Sequence, residues 1–204
     1  MLRLAILISG RGSNLRSILQ AIKTQRLVGV EARVVISNNA QAGGIAIAKK
    51  FNVATEILAP SGVRGWSYDR KLLSLLEKYT VLPSNGLICL AGYMRILSPK
   101  FVETYKMRII NVHPSLLPSF PGLHAQKQAL EYGVKVSGCT IHFVNEGVDS
   151  GTILLQQPVR VMDRDSEEAL SKRILAQEHK LYPRAIKLIA EKRIDVKGRK
   201  TMLT

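Results

Sequence analysis

Cysteine is scarce in this chain of 204 residues, which carries only Cys89 and Cys139. Each lies in an apolar, strand-like run, with no CxxC pair and no histidine at ligand spacing. The sequence therefore indicates neither a disulfide framework nor a Cys/His metal site. We predict two buried free thiols in a cytosolic protein that has no metal centre.

Long hydrophobic runs are also missing. The N-terminal apolar stretch, residues 4–8, is too short for a signal peptide or for a membrane span, and no other segment approaches spanning length. There is no internal repeat, low-complexity block or linker rich enough to mark a second domain. We predict a single domain over residues 1–204, located in the cytoplasm and not at a membrane.

Acidic residues are only half as frequent as basic ones: fifteen Asp and Glu face thirty Lys and Arg, a formal net charge of +15. A surface of this charge attracts anions, from nucleic acid to acidic small molecules. The basic residues are scattered apart from the tail at residues 187–200, and aromatic residues, at 5%, provide no stacking platform for bases. We favour a solvated basic surface, and a basic nucleic-acid-binding domain remains the alternative that is not an enzyme.

Strand-like and helical patterns alternate along most of the chain. The predicted strands are 4–9, 32–37, 55–58, 86–91, 107–112, 139–144 and 152–161, and the predicted helices are 14–24, 42–51, 68–79, 99–105, 125–132 and 165–191. Such alternation with short connections predicts an α/β fold. We expect a Rossmann-like, mostly parallel twisted sheet of about seven strands with helices on both faces.

The loop at residues 9–14, Ser-Gly-Arg-Gly-Ser-Asn, lies between a strand and a helix. Its glycines allow the backbone to approach an anion, and the start of the helix directs free N–H groups at it. The loop matches neither GxGxxG nor a Walker motif, which disfavours a dinucleotide. A seat for a single phosphate and a tight turn that caps the helix are both compatible with it.

Asn111 and His113 end an apolar strand and precede a loop that contains three prolines. Two residues apart in a strand, their side chains point the same way. An amide can donate to an oxyanion, and a histidine can move a proton near neutral pH. The alternative is a capping Asn with a hydrogen-bonded surface His.

Asp149 lies in a glycine-containing loop, residues 145–151, that could bring its carboxylate beside His113. The carboxylate would raise the imidazole pKa and fix its tautomer, although an ordinary hairpin turn would look the same. Residues 92–97 follow the fourth predicted strand. Their backbone could hold a planar heterocycle, or they could form a simple strand-to-helix loop.

Four segments together resemble the phosphoribosylglycinamide formyltransferases, the folate-dependent enzymes of purine biosynthesis. They are residues 7–14, 90–98, 111–118 and 142–149, in the order and spacing of that family. The resemblance implies the formyltransferase fold, with a phosphate- and substrate-binding half at residues 1–105 and a catalytic and folate-binding half at residues 106–204.

The implied reaction moves a formyl group from 10-formyltetrahydrofolate to the amine of N1-(5-phosphoribosyl)glycinamide (glycinamide ribonucleotide). The products are formylglycinamide ribonucleotide and tetrahydrofolate, formed by direct transfer through a tetrahedral intermediate in de novo purine biosynthesis. The implied partners are small molecules, not nucleic acid or membrane, and the implied state is a monomer or a homodimer without a metal.

The resemblance also implies roles for single residues. The catalytic residues are His113, Asn111 and Asp149. The residues that bind the ribonucleotide are Gly12, Ser13, Asn14, Gly92 and Glu178. The residues that bind the folate are Met94, Arg95, Ile96, Leu97, Asn111, Asp149 and Arg64. Arg64 lies one position from where the family places its folate-contacting arginine, and His142 fits either a place near the site or a structural role in its strand.

Two other enzymes share the Asn-x-His-Pro core. A methionyl-tRNA formyltransferase would suit the positive charge, but it carries a further tRNA-binding domain. A formyltetrahydrofolate hydrolase carries an extra N-terminal domain. The sequence indicates neither addition, and we favour the glycinamide ribonucleotide enzyme.

Overall fold

The computed structural model describes residues 1–60 and 62–204. The sequence predicts a loop at residues 60–65, between the third strand and the third helix, and position 61 of that loop lies outside the described residues. The strands of the described part are β1 (Leu2–Ile8), β2 (Val30–Ser37), β3 (Ala54–Ile57), β4 (Gly86–Leu90), β5 (Ile109–His113), β6 (Val136–Phe143), β7 (Ile153–Arg160), β8 (Ile194–Lys197) and β9 (Lys200–Leu203). Its helices are α1 (Ser13–Lys23), α2 (Gly43–Lys50), α3 (Trp66–Lys78), α4 (Pro99–Thr104), α5 (Ala125–Tyr132) and α6 (Glu167–Ala190).

Seven strands form one sheet in the order β3-β2-β1-β4-β5-β6-β7. Strands β1 to β5 pair in parallel, and β6 pairs with β7 in antiparallel fashion. The predicted α/β fold with a mostly parallel sheet of about seven strands is therefore confirmed. Within the described residues, no helix is both long and apolar enough to cross a membrane.

The chain divides into two compact units, Met1–Asn111 and Val112–Thr204. In the first unit, β1 is the inner strand: it pairs with β2 on one side and with β4 on the other. Its residues 4–8 are fully buried, as expected of a strand covered on both faces. Helix α1 buries Leu15, Ile18 and Leu19 along one face.

The second unit contains the β6–β7 pair and the long helix α6, which begins at Ser166 as its N-cap. The Ser166 hydroxyl accepts from the Ala169 N–H, and Glu167 and Glu168 follow in the first turn, where acidic residues suit the helix dipole. Strands β8 and β9 form an antiparallel hairpin that the sequence analysis did not predict. Gly198, with a φ of 61°, makes its turn.

Both cysteines are buried, as predicted. Burial, with a smaller contribution from the charge of Glu178, raises the pKa of Cys139 to about 12. This thiol is therefore protonated at neutral pH and is a poor nucleophile.

Candidate active site

The loop before α1 is held in one shape by close packing. Gly12 has a φ of 76°, and a side chain there would bring its Cβ within 2.6 Å of the Gly44 Cα in helix α2. The Gly44 N–H also donates to the Gly10 carbonyl over 3.1 Å. Gly12 is the N-cap of α1 and makes no side-chain cap, and the start of a helix directs backbone N–H groups and positive dipole at an anion.

Ser13 and Asn14 form the first turn of α1, and Asn14 is buried. The three residues predicted to hold the phosphate thus lie at one helix start. This geometry is compatible with an anion seat and also with a tight turn that caps the helix, so both alternatives stay open.

The loop at residues 92–97 begins with Gly92, whose φ is 77°. Met94 and Ile96 are 67% and 79% exposed, whereas Leu97 is buried. A ligand on this loop can therefore reach the Met94 and Ile96 side chains, but the Leu97 side chain packs into the protein. The part of Leu97 that a ligand on this loop can contact is therefore its backbone and not its side chain.

Arg95 turns its side chain toward the segment before α3. Its guanidinium lies 3.8 Å from the centre of the Tyr68 ring and donates to the Val63 carbonyl over 3.1 Å. The Tyr68 hydroxyl in turn donates to the Leu58 carbonyl over 2.6 Å. Arg95 therefore fixes the loop that follows β4 against the segment that contains Arg64, whose own side chain is exposed.

His113 ends β5 and is 4% exposed. Its Nδ1 lies 3.2 Å from Oδ2 of Asp149, and its Nε2 lies 2.8 Å from the Phe120 carbonyl oxygen. The predicted closeness of Asp149 and His113 is therefore confirmed. The proline-containing loop joins both residues, because the Gly122 N–H donates to the same Asp149 oxygen over 2.8 Å.

Asp149 also reaches a second histidine. Its Oδ1 lies 3.6 Å from Nε2 of His142, which is 2% exposed on β6. His142 Nδ1 lies 3.0 Å from the Phe143 carbonyl. The sequence analysis left His142 between a place near the site and a structural role, and the structure places it beside Asp149. Only its position in the family pattern could have indicated this.

The loop that carries Asp149 passes close to β6. A side chain at Gly151 would collide with the Phe143 carbonyl, so glycine allows the loop to lie against the strand. Asp149 has a φ of 49°, and Ser150, next in the chain, accepts a 3.2 Å hydrogen bond from Arg199 in the β8–β9 turn. A cavity of about 460 Å³ borders the loop; its lining includes Leu117, Pro121, Val148, Asp149 and Arg199.

The pKa of His113 is lower than its ordinary value of 6.5. Burial is the largest cause; the Phe120 carbonyl and the Asp149 charge raise this pKa, and the charge of His142 lowers it. The predicted effect of the Asp149 carboxylate, which raises the pKa of His113, is confirmed, but burial outweighs it and the net pKa is lowered. Burial also raises the pKa of Asp149. The hydrogen bonds from His142 and Gly122 and the charges of the two histidines outweigh that effect and lower it.

These contacts suit a histidine that gains and loses a proton. A carbonyl oxygen and an ionised carboxylate only accept, so each contact of the His113 ring needs an N–H. A neutral imidazole has one N–H and satisfies one contact; the imidazolium has two and satisfies both. Burial favours the neutral form, while the two acceptors are already in place for the charged form.

Asn111 lies on β5 and pairs in register with Leu90 of β4. Glu178 lies on α6 and is 6% exposed, so its carboxyl group is buried. Within the part of the chain that the structure describes, no three His, Cys, Asp or Glu side chains form a group that could hold a metal ion.

The sequence matches the formyl transferase family over residues 2–186. The chain therefore belongs to this family, a class of enzymes that move a formyl group. It is 42% identical over 196 residues to the phosphoribosylglycinamide formyltransferase of Escherichia coli, a match that covers 96% of this chain and 90% of that protein. It is 46% identical over 190 residues to the trifunctional purine biosynthetic protein adenosine-3 of Drosophila pseudoobscura pseudoobscura, covering 92% of this chain and 14% of that one.

Among solved structures, the glycinamide ribonucleotide transformylase 1 of Symbiobacterium toebii is similar over the whole chain and over 94% of its own length. Its TM-score is 0.94 and its sequence identity is 45%. These matches confirm the resemblance that the sequence motifs predicted.

Proposed function

We propose that this enzyme is a phosphoribosylglycinamide formyltransferase, which moves a formyl group from 10-formyltetrahydrofolate to the amine of glycinamide ribonucleotide in de novo purine biosynthesis. The observation that carries the chemistry is the buried His113, with Asp149 on one ring nitrogen and the Phe120 carbonyl on the other. The names of its relatives support this substrate over an aminoacyl-tRNA or water.

The reaction needs a proton to move from one nitrogen to another. The amine attacks the formyl carbon and gives a tetrahedral intermediate with a negative oxygen and a positive nitrogen. Neutral His113 takes a proton from that nitrogen and delivers it to N10 of the folate as the carbon–N10 bond breaks and the carbonyl re-forms. The Asn111 amide and the transient imidazolium stabilise the oxyanion.

Asp149 holds His113 in the tautomer that this step requires. With Nδ1–H donated to Asp149, the Nε2 atom carries the lone pair that accepts the proton. This requires the reacting nitrogen to take the place that the Phe120 carbonyl occupies beside Nε2. The carboxylate then stabilises the imidazolium. The protonated, buried Cys139 is unsuited to attack, so we expect no covalent intermediate on this thiol.

The ribonucleotide phosphate is assigned to Gly12, Ser13 and Asn14, in keeping with their place at the start of α1. Gly92 and the buried carboxylate of Glu178 help to place the glycinamide end.

The folate is assigned to Met94, Arg95, Ile96 and Leu97, chiefly through their backbone, with Asn111, Asp149 and Arg64. Two observations support this. Met94 and Ile96 are exposed, and the Arg95 side chain holds their loop through its contacts with Tyr68 and Val63. Because the Arg95 side chain binds Val63 and stacks on Tyr68, we assign its folate contact to the backbone.

Residues 1–105 serve the phosphate and contribute the loop at residues 92–97 and Arg64 to the folate, and residues 106–204 serve the catalysis and the other folate contacts. The two halves belong to a single domain that is a monomer or a homodimer in the cytoplasm. Its partners are small molecules and not nucleic acid. The net charge of +15 then attracts a phosphate and a carboxylate-bearing folate.

The test is a direct assay with the two substrates and purified protein. We expect formylglycinamide ribonucleotide to form, and His113→Ala to reduce the rate at least about 10²-fold, because general acid–base catalysis supplies about 10²–10⁴. His124→Ala serves as a control, since this histidine is exposed before α5. No product with glycinamide ribonucleotide, together with formylation of charged initiator tRNA, would refute the assignment.

A further inference from the structure

Ser9 joins three loops at the edge of the sheet where β1, β2 and β4 end. Its hydroxyl accepts from the Met94 N–H over 2.8 Å and donates to Oδ1 of Asn38 over 2.6 Å. Its backbone N–H donates to the Gly92 carbonyl over 3.0 Å, and its carbonyl accepts from Nδ2 of Asn39 over 3.3 Å. One small residue thus has four contacts, all of them outside its own loop.

The loops that Ser9 joins are assigned to different substrates. Ser9 directly precedes the turn at residues 10–14, where the phosphate is assigned. Gly92 and Met94 begin the loop at residues 92–97, where the folate heterocycle is assigned. Since the Met94 N–H already donates to Ser9, this group positions the loop and is not a free donor for a ligand.

We propose that Ser9 is a positioning residue that couples the binding of the two substrates. The inference rests on the proposed function. A phosphate that orders residues 10–14 also orders Ser9, and Ser9 fixes Gly92 and Met94 through two hydrogen bonds. The loop that receives the folate is then already in place. By linkage, folate binding must favour ribonucleotide binding by the same factor.

Asn38 sets the direction of the Ser9 hydroxyl. The Ser9 hydroxyl has one hydrogen, and the side-chain Oδ1 of Asn38 accepts it. The lone pairs of the hydroxyl are therefore left to accept from the Met94 N–H. An alanine at position 38 would free this hydroxyl to rotate. We therefore expect Asn38→Ala to weaken the coupling in part, and Ser9→Ala, which loses the bond to Met94 and keeps only the backbone bond to Gly92, to weaken it most.

The experiment measures the dissociation constant of glycinamide ribonucleotide by titration calorimetry, alone and with a saturating folate analogue in which carbon replaces N10. For the native enzyme we expect the analogue to tighten ribonucleotide binding at least about fivefold, the lower end of usual coupling. In Ser9→Ala the ratio should fall to within about twofold of unity, while each ligand alone still binds. Ser9→Thr, which keeps the hydroxyl, should retain the coupling.

Ser74→Ala is the matched control, because the exposed Ser74 hydroxyl only donates to the Arg70 carbonyl within α3. It should keep the native ratio. A ratio near unity in the native enzyme, or an unchanged ratio in both Ser9→Ala and Asn38→Ala, would overturn the coupling and leave the proposed function intact. If the native enzyme binds neither glycinamide ribonucleotide nor the folate analogue, both the coupling and the proposed function are overturned.

Discussion

Asp149 lies between two buried histidines, so the removal of its charge tests the proton transfer directly. Asparagine in its place keeps the size of the side chain and an oxygen that can accept from the Gly122 N–H. It removes the charge that stabilises the imidazolium of His113. The variant Asp149→Asn therefore separates the charge from the packing.

The size of the effect follows from the 3.2 Å between His113 Nδ1 and Asp149 Oδ2. At an effective dielectric constant of about 20, two unit charges at this distance attract by about 5 kcal/mol. Asparagine recovers part of this through its amide oxygen, which leaves a loss of about 3–4 kcal/mol in the transition state. We expect kcat to fall about 10²–10³-fold, with a much smaller change in KM.

The pH profile of kcat/KM gives a second, independent readout. His113 accepts a proton only when neutral, so activity rises with pH through its pKa, which lies below 6.5. Asp149 raises this pKa, and its loss lowers it further. The acidic limb of Asp149→Asn should therefore move to lower pH while the plateau falls. The variant Asp163→Asn, at an exposed ion pair with Lys135, should change neither.

A fall in kcat of less than about threefold in Asp149→Asn would refute the role of this carboxylate. A shift of the acidic limb to higher pH would refute the sign of the electrostatic argument.

Three further predictions concern the phosphate loop, the stability and the surface charge. Gly12→Ala should raise KM for glycinamide ribonucleotide and lower the free energy of unfolding by about 2 kcal/mol or more. The added Cβ would meet the Gly44 Cα, and alanine would have to adopt the φ of 76° that Gly12 has. An unchanged urea midpoint would contradict this prediction. Burial lowers the pKa of both His113 and His179 below 6.5, so the unfolded chain binds more protons near this pH than the folded protein does. The free energy of unfolding should therefore decline as pH falls below about 6.5. His113→Gln should reduce this pH dependence in urea titrations from pH 7 to 5. Finally, kcat/KM should decrease with ionic strength if the net charge steers the substrates, and a flat profile would count against steering.

Much of the fold follows from the sequence because its signals are local. Residues 4–8 form an unbroken apolar run and become a buried inner strand. Ser166 followed by Glu167 and Glu168 marks the start of α6 to within two residues. The hairpin of β8 and β9 was missed because its strands have four residues each and lie in a basic tail. The available signal was the turn at Gly198 and Arg199 after a strand in which Ile194 and Val196 alternate with polar residues.

The closeness of His113 and Asp149 was predictable from the sequence, but the electrostatic environment of His113 was not. The spacing of Asn111 and His113 and the glycines around Asp149 indicated chemistry at one strand end. The net pKa of His113 depends on how far folding removes the ring from water, and composition does not encode this quantity. The same holds for Arg95, whose stacking on Tyr68 depends on residues 27 positions apart in the chain.

The tight contact between Gly12 and Gly44 limits how the specificity of this enzyme can be redesigned. A Cβ at Gly12 meets the Gly44 backbone, and a Cβ at Gly44 meets the side chains of Ile8 and Leu15. A side chain at Gly12 would require the Gly44 backbone to move, and a side chain at Gly44 would require the buried Ile8 side chain to shift, so neither position accepts a substitution without a change in its neighbours. Arg11 is the exposed side chain of the same turn. If the phosphate binds at this loop as proposed, libraries that seek to change the phosphate requirement should vary position 11 first and keep the glycine pair fixed.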